Sequence, residues 1–461
     1  MVDSSTHGLV RRLMRGLGAS ALGPAVTLIF QVASVPIFLH SWGARLYGEW
    51  LILSAIPSYL AISDIGFGNV AASDMTVCVA AGKRETALGT FQSTWVLVST
   101  ISLVLMALLT AGVWTLPWEG WIGLSTMGHR SSCLAMLLLS AYAFISLQNG
   151  VMDSAFRCEG NFAVGTACMS VLRFSEVLTS TAAAACGGGP VPVALVLFST
   201  RLAGSIVIRL LLRKRSPWIR YGTAHASLAT IRRLWAPAFA YMAFPIGYAI
   251  SMQGFTLVIG IVLGPVAVTA FSTMRTLSRV GYQMLAVVSR TVWPEISTAF
   301  GAGKIELARS LHRRAFQLAL VLACVCSGAL AIAGPRVYGI WTHHTVRFDP
   351  LAFNLLLLVV LANSMWYTSS VVPMATNRHH TIAVAYMAGT MFSLGLAWLL
   401  MHRFGIAGAA AALLCIDAAM IGVVLRSALQ LLSDTPGEFG ASMLALPRLG
   451  PILQVLRGDS A

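Results

Sequence analysis

Five polar side chains recur along one stretch of the chain at a spacing that gathers them on one side of a helix. Arg275, Arg279, Tyr282, Gln283 and Arg290 span about a quarter of the helical circle at 3.6 residues per turn. A guanidinium group presents paired donors in one plane and keeps its charge, which suits the oxygens of a phosphate or diphosphate. The stripe is therefore a candidate site for an anionic head group. The alternative is interhelical ion pairing or, above all for Arg290, snorkelling.

Two further arginines lie in the middle of apolar runs. Arg173 has Glu176 three residues further on, on the same helical face, so an internal salt bridge is favoured over a ligand role. Arg201 is open to both interpretations. The predicted substrate-binding residues are Arg275, Arg279, Arg173, Arg201 and Gln283.

Three carboxylates are candidates for coupling proton movement to transport: Asp417, Glu176 and Asp64. A carboxylate held in an apolar environment can exchange a proton during a transport cycle. The competing interpretation is a helix-to-helix hydrogen bond or ion pair, which the sequence alone favours.

No catalytic or metal-binding motif accompanies these residues. Gly303-Lys304 is followed by Ile305 rather than Ser or Thr, so it does not form a phosphate-binding loop. The histidines of His343-His344 and His379-His380 are adjacent, whereas helical metal sites use wider same-face spacing. The eight cysteines form no C-x-x-C pair and are interpreted as small hydrophobic residues. We expect no enzyme activity, no catalytic residue, no metal site and no cofactor.

The composition indicates what kind of element carries these residues. Of 461 residues, 57% are hydrophobic and only 10% are charged, and the mean hydropathy is +0.78. Soluble domains carry about 25% charged residues. This excludes a soluble enzyme, a nucleic-acid-binding domain and a disordered scaffold, despite a net charge of +15.

The apolar runs predict an all-α membrane protein with twelve transmembrane helices, since about 20 apolar residues cross a bilayer. Arg275 would then lie about 15 Å below the start of its helix, where an arginine facing lipid costs about 2.5–3.5 kcal/mol. The predicted helix cores are 17–40, 48–78, 88–113, 132–156, 161–185, 191–212, 234–262, 266–299, 315–340, 351–375, 379–401 and 406–431.

The distribution of basic residues supports this count. With the N-terminus in the cytoplasm, 19 of the 31 Lys and Arg residues fall in cytoplasmic segments, 5 in outer segments and 7 within spans. Cytoplasmic loops attract Lys and Arg, so twelve spans with both termini inside fit the rule. The net charge is explained by topology without a nucleic-acid partner.

An internal repeat divides the chain into two halves. At an offset of 221 positions, Ala81-Gly82-Lys83-x-Glu85-x-Ala87 matches Ala302-Gly303-Lys304-x-Glu306-x-Ala308, and Gly43 matches Gly264. We predict a six-helix lobe 1–212, a basic cytoplasmic linker 213–233, a second lobe 234–432 and a cytoplasmic tail 433–461. Because each half has an even number of spans, a pseudo-two-fold axis along the membrane normal should relate them, with a substrate cavity between them.

Two stretches resemble the polysaccharide and O-antigen flippases of the multidrug/oligosaccharidyl-lipid/polysaccharide exporter superfamily. Leu46-Tyr47-Gly48-Glu49-Trp50 through Asp64-Ile65-Gly66 resembles their second helix. Phe271-x-x-x-Arg275-Thr276-Leu277-Ser278-Arg279, with Gln283 and Pro294-Glu295, resembles their eighth. The resemblance implies flipping of a polyprenyl-diphosphate-linked oligosaccharide from the inner to the outer leaflet of a bacterial inner membrane. It also implies cavity-lining arginines, matched by Arg275 and Arg279.

The resemblance also implies coupling to a proton or sodium gradient, and it sets the expected partners. These are the lipid-linked oligosaccharide, membrane lipids, and polysaccharide polymerase and glycosyltransferases as neighbouring enzymes, for a monomeric chain without nucleic acid. The first alternative is a cation-coupled multidrug exporter of the same superfamily, whose cavity would favour cationic apolar drugs. The second is a membrane-embedded polysaccharide polymerase or ligase, which should carry a larger outer loop than Trp114–Arg130 or Arg336–Asp349.

Overall fold

A computed structural model describes residues 32–59, 65–376 and 378–444. Every regular element within that range is helical, as predicted. A helical stretch α1 covers 32–59, with a positive φ of 68° at Gly43. The other helices are α2 Ile65–Ala80, α3 Arg84–Thr115, α4 Trp118–Trp121, α5 His129–Cys158, α6 Phe162–Ala185, α7 Pro190–Arg215, α8 Leu228–Ala249, α9 Phe255–Leu263, α10 Pro265–Gly301, α11 Ile305–Trp341, α12 Pro350–Ala375, α13 His380–Phe404, α14 Ile406–Leu431 and α15 Pro436–Leu444.

Eight helical stretches among the described residues are long and apolar enough to cross a membrane, so the chain is a multi-pass membrane protein. They are Arg84–Thr115, His129–Cys158, Pro190–Arg215, Pro245–Leu263, Ile305–Trp341, Pro350–Ala375, His380–Phe404 and Ile406–Leu431. Two more predicted spans correspond to α6 and α10, which carry the charged residues discussed above. Residues 17–31 of the first predicted span and 60–64 of the second lie outside the described residues, while 32–40 and 48–59 belong to α1. The seventh contains a π-helical turn at Ile250–Gly254.

The internal repeat reappears in backbone geometry. Gly82 and Gly303 have φ of +75° and +70°, which favours glycine because it has no Cβ. Lys83 and Lys304, the residues before α3 and α11, share nearly the same backbone angles, φ −92°, ψ 63° and φ −85°, ψ 64°. Helices α3 and α11 begin 221 residues apart, as do α5 and α12. Residues 221 positions apart in these stretches thus have nearly the same backbone conformation.

Contacts divide the chain into two compact units, Ser34–Ala270 and the chain from Phe271 onward together with 32–33. Helices α8 and α9 fall in the first unit, so this division lies later than the predicted linker 213–233. The lobes are defined by repeat and topology rather than by contact, and their boundaries remain a prediction.

In the first unit the predicted linker is docked rather than extended. The Gln92 side chain donates to the Arg220 carbonyl at 2.9 Å and accepts from the His225 amide at 2.7 Å. Tyr221 lies between aromatic rings of α3, with the Arg209 guanidinium 4.3 Å from its ring centroid. Burial raises the pKa of Tyr221 to about 12, so this phenol stays neutral at physiological pH.

In the second unit the start of the predicted tail also docks. Arg313 of α11 forms ion pairs with Asp434 and with Glu438 of α15. Arg309 donates to the carbonyls of Leu432 and Ser433, which follow the end of α14. A cation at the C-terminal end of a helix satisfies carbonyls that lack an intrahelical partner. Up to residue 444, the tail is therefore a helix held on α11.

A buried carboxylate in α1 fixes the loop before α5. The Glu49 side chain is fully buried and accepts the backbone amides of Ser125, Thr126 and Met127 at 2.9, 2.7 and 3.0 Å. Its neighbour Gly48 lies against the carbonyl of Pro265, where an added Cβ would come within 1.9 Å of the oxygen. The Gly48-Glu49 part of the family-like motif therefore has a packing role.

Replacing Glu49 with Ala should destabilise the protein, because three backbone amides would lose their acceptor, one of them the amide of the buried Met127, and an unsatisfied buried group costs about 1–3 kcal/mol. The apparent melting temperature of the purified protein in detergent should fall. The matched control is Glu85→Ala, which removes an exposed carboxylate in the first turn of α3. Equal melting temperatures for the two variants would contradict this role.

Candidate functional site

The predicted coupling residue Asp417 is buried in the middle of α14, with 7% of its surface exposed. Its Oδ1 accepts a hydrogen bond from Asn363 Nδ2 at 2.8 Å and from Trp366 Nε1 at 2.6 Å. Asn363 and Trp366 are three residues apart on α12, so both reach from the same face of that helix. A carboxylate at this depth is thus held by two neutral donors.

Arg275 of α10 belongs to the same cluster. Its positive charge acts on the Asp417 carboxylate, and its guanidinium lies 5.8 Å from the Phe271 ring centroid. Arg279, one turn further along, lies 5.2 Å from the Tyr282 ring centroid. Both arginine side chains are half-buried. The structure therefore brings a predicted binding residue and a predicted coupling residue to one place.

Aromatic rings connect α10 with α12 and α13. The Tyr282 centroid lies 5.4 Å from that of Tyr367, Tyr367 lies 6.2 Å from Trp366, and Trp366 lies 5.4 Å from Tyr386. Gln283, also predicted, is half-buried next to Tyr282. Tyr282 belongs to the stripe predicted from the sequence, but Asn363 and the other three rings were not predicted. The available signal was the Trp366-Tyr367 pair and the Asn363 amide in helix α12, which carries no charged residue.

This cluster combines three chemical properties. A buried carboxylate can carry or release a proton. Aromatic faces attract organic cations and aromatic groups. Two guanidinium groups attract anions. We call these residues the Asp417 cluster: Arg275, Arg279, Tyr282, Asn363, Trp366, Tyr367, Tyr386 and Asp417.

The first unit contains a separate ionic cluster. Arg201 of α7 pairs with Glu176 of α6, with Nε 2.5 Å from Oε1 and Nη2 2.8 Å from Oε2. The Tyr142 hydroxyl of α5 accepts from Arg201 at 2.6 Å and donates to Glu176 at 3.1 Å. Arg201 and Glu176 are 8% and 4% exposed. This arrangement favours an internal structural role for both over direct substrate contact.

The predicted salt bridge between Arg173 and Glu176 is corrected by this geometry. The Glu176 carboxylate pairs with the buried Arg201 of α7 and accepts a hydrogen bond from the half-buried Tyr142 of α5, while Arg173 lies on the exposed side of α6. Same-face spacing within one helix predicts a possible pair, but a partner on the next helix can compete for the carboxylate. Asp64, the third coupling candidate, lies outside the described residues.

No family model and no curated protein matches the chain. Solved structures do. An inward-facing multidrug resistance MATE family transporter of the MOP superfamily matches with a TM-score of 0.68 and 14% identity, covering 93% of this chain and 94% of that one. An outward-facing structure of such a transporter gives 0.64 and 14%, covering 92% and 96%.

A third match is a MOP superfamily transporter from Pyrococcus furiosus, for which a reversed polarity of the binding pocket suggests a different function. It has a TM-score of 0.63 and 14% identity, and covers 92% of this chain and 96% of that one. At this identity the likeness concerns the fold. The predicted all-α membrane fold is thereby confirmed for the described residues. The chain has the fold of the transporters of the MOP superfamily. These matches do not assign it to the flippase branch.

Proposed function

We propose that this chain is a membrane transporter that exports an organic cation by alternating access, driven by a cation gradient that acts through Asp417. The fold shared with multidrug resistance transporters supports the transport class. The observation that carries the proposal is the buried Asp417 carboxylate, held by two neutral donors beside Arg275. This corresponds to the first alternative from the sequence.

The charges of the Asp417 cluster give the direction of coupling. Ionised Asp417 offsets part of the positive charge of Arg275, so an organic cation is tolerated beside the aromatic rings. Protonation removes the negative charge and leaves the arginines to repel the cation. The organic cation binds better when Asp417 is ionised than when it is protonated. The organic cation and the proton therefore compete for the same site. Proton entry would promote cation release.

A second candidate function is flipping of a lipid-linked oligosaccharide diphosphate, and the half-buried Arg275 and Arg279 are the observation that favours it. Two guanidinium groups one helical turn apart can share the oxygens of a diphosphate. The sequence resemblance adds support. In this case protonation of Asp417 would strengthen substrate binding, because it removes the charge that repels the anion.

The two candidate functions predict opposite effects of Asp417 protonation on substrate binding, which can be tested directly with purified protein. The affinity for a fluorescent organic cation and for a polyprenyl diphosphate should be measured at neutral and at mildly acidic pH. Cation export predicts weaker binding of the organic cation at acidic pH. Diphosphate flipping predicts stronger binding of the polyprenyl diphosphate at acidic pH. If neither probe binds, both proposals are wrong.

Replacing Arg275 or Arg279 with Ala should separate the two substrate classes further. Loss of a hydrogen bond between charged groups costs about 1.5–3 kcal/mol, which corresponds to at least about tenfold in affinity. We therefore expect either variant to bind the polyprenyl diphosphate at least tenfold more weakly if that is the substrate, with partial recovery in Arg275→Lys.

Binding of an organic cation should be retained or strengthened in the same two variants. Arg347→Ala, which removes an exposed arginine in the loop before α12, is the control and should leave both affinities unchanged. Tenfold weaker binding of the organic cation in the Arg275 and Arg279 variants would contradict the proposed charge balance.

A further inference from the structure

Three side chains that can bind a metal ion meet where α4 approaches the first turn of α5. His129 Nδ1 lies 2.8 Å from Glu119 Oε1 and 2.9 Å from Oε2. The Cys133 Sγ lies 3.8 Å from His129 Nδ1 and 3.7 Å from Nε2. One ligand atom from each residue lies within 4.8 Å of the other two. The cluster therefore brings together an oxygen, a nitrogen and a sulfur.

The local fold explains why these residues meet. His129 and Cys133 are four residues apart, so they share a face of α5. Glu119 comes from the short helix α4. The loop that joins α4 to α5 is fixed by the three amides that Glu49 accepts. The loop that Glu49 fixes therefore determines the relative positions of the three residues, which do not depend on a flexible surface contact.

Burial differs among the three residues in a way that suits a metal. Cys133 is fully buried, whereas the side chains of Glu119 and His129 are 19% and 51% exposed. The Trp114 ring meets the His129 ring edge-on at 6.3 Å. A metal ion could reach the site from the side of His129, and its fourth ligand position would remain open to water.

The distances fit a zinc ion with little rearrangement. Zinc bonds of about 2.0–2.3 Å in a tetrahedron place ligand atoms about 3.3–3.7 Å apart. The sulfur-to-nitrogen distances of 3.7 and 3.8 Å are already close to that range. The 2.8 Å contact between His129 and Glu119 has to widen by about half an ångström.

We propose that Glu119, His129 and Cys133 bind a Zn²⁺ ion that ties α4 to the start of α5. The thiol of Cys133 would lose its proton to solvent on binding, because the thiolate is the metal ligand. One carboxylate and one thiolate then neutralise the charge of the ion. The proposal differs from the sequence-based expectation of no metal site and does not depend on the transported substrate.

Co²⁺ is the probe for this site, since it occupies zinc sites and its thiolate complexes absorb in the near ultraviolet. The full-length protein should be purified in detergent, freed of metal with a chelator and titrated with Co²⁺, followed by displacement with Zn²⁺. We expect a thiolate charge-transfer band that saturates at one Co²⁺ per chain. Zn²⁺ should abolish the band.

The band should disappear in Cys133→Ala, and the affinity for Co²⁺ should fall about tenfold or more in His129→Asn and in Glu119→Gln. Cys186→Ala removes an exposed cysteine of the same unit and serves as the control, with no change expected. If Cys133→Ala does not fold, the half-exposed His129→Asn decides the question. Absence of the band in the unmodified protein, its persistence in Cys133→Ala, or unchanged affinity in His129→Asn would overturn the proposal.

Discussion

Replacing Asp417 with Asn is expected to reduce gradient-driven export to the level of protein-free vesicles. The amide keeps the shape of the side chain and can still accept the hydrogen bonds of Asn363 and Trp366 through its oxygen. It cannot take up or release a proton. The variant should therefore fold and insert, but an imposed pH gradient should no longer drive transport. The measurement is substrate accumulation in proteoliposomes with and without that gradient.

Asp349→Asn is the matched control for this prediction. Asp349 caps the start of α12 by accepting the Ala352 amide at 3.0 Å, and Asn caps helices as well as Asp does. Its transport should equal that of the unmodified protein. If Asp417→Asn retains the same response to the pH gradient, Asp417 does not couple proton movement to export. If a sodium gradient drives transport by the unmodified protein instead, transport by Asp417→Asn and Asp349→Asn should be compared under a sodium gradient.

The second large effect concerns the buried ion pair of the first unit. Arg201→Ala should destabilise the protein by about 3–5 kcal/mol, because the buried Glu176 would keep a charge without its partner. Tyr142 cannot replace the guanidinium, since a phenol supplies one hydrogen bond and no charge. The expected result is a marked loss of thermal stability in detergent, measured on purified protein.

Two comparisons make this prediction specific. Arg201→Met combined with Glu176→Gln removes both charges and should recover most of the stability, as replacement of a whole buried pair is often neutral. Arg173→Ala removes an exposed arginine of α6 and should have little effect on melting. Equal destabilisation by Arg173→Ala and Arg201→Ala would mean that the pair with Glu176 is not what stabilises these helices.

Much of the fold follows from local features of the sequence. Apolar length predicts the spans, since a bilayer requires about 20 apolar residues whatever their neighbours. The repeat at 221 positions predicts that equivalent residues share backbone geometry, as Gly82 and Gly303 do. Glycine at a positive φ is a local requirement, so it can be recognised before any tertiary contact is known.

The partners of the polar residues could not be predicted in the same way. Glu176 has Arg173 on its own helical face, yet pairs with Arg201 of the next helix. Asp417 was recognised as a buried carboxylate, but its donors Asn363 and Trp366 come from α12. Which helices are neighbours depends on packing over the whole unit. Spacing along one helix therefore identified candidate residues, but not the pairs they form.

Glu49 illustrates the same limit. The sequence places it in the family-like motif beside Trp50. The structure shows a fully buried side chain that holds the loop 125–127. A motif residue can thus be required by the fold alone, and resemblance carried by such residues says more about architecture than about substrate. The substrate question depends on the Asp417 cluster.

The most direct test of the account is transport by the unmodified protein in proteoliposomes. A fluorescent organic cation and a labelled polyprenyl-diphosphate oligosaccharide should be supplied separately, with an imposed pH gradient and after its collapse. The account predicts gradient-dependent movement of the organic cation above that in protein-free vesicles, lost when the gradient is collapsed. No gradient-dependent movement of the organic cation above the protein-free level, under a pH or a sodium gradient, would contradict it, and movement of the oligosaccharide alone would support the second candidate function.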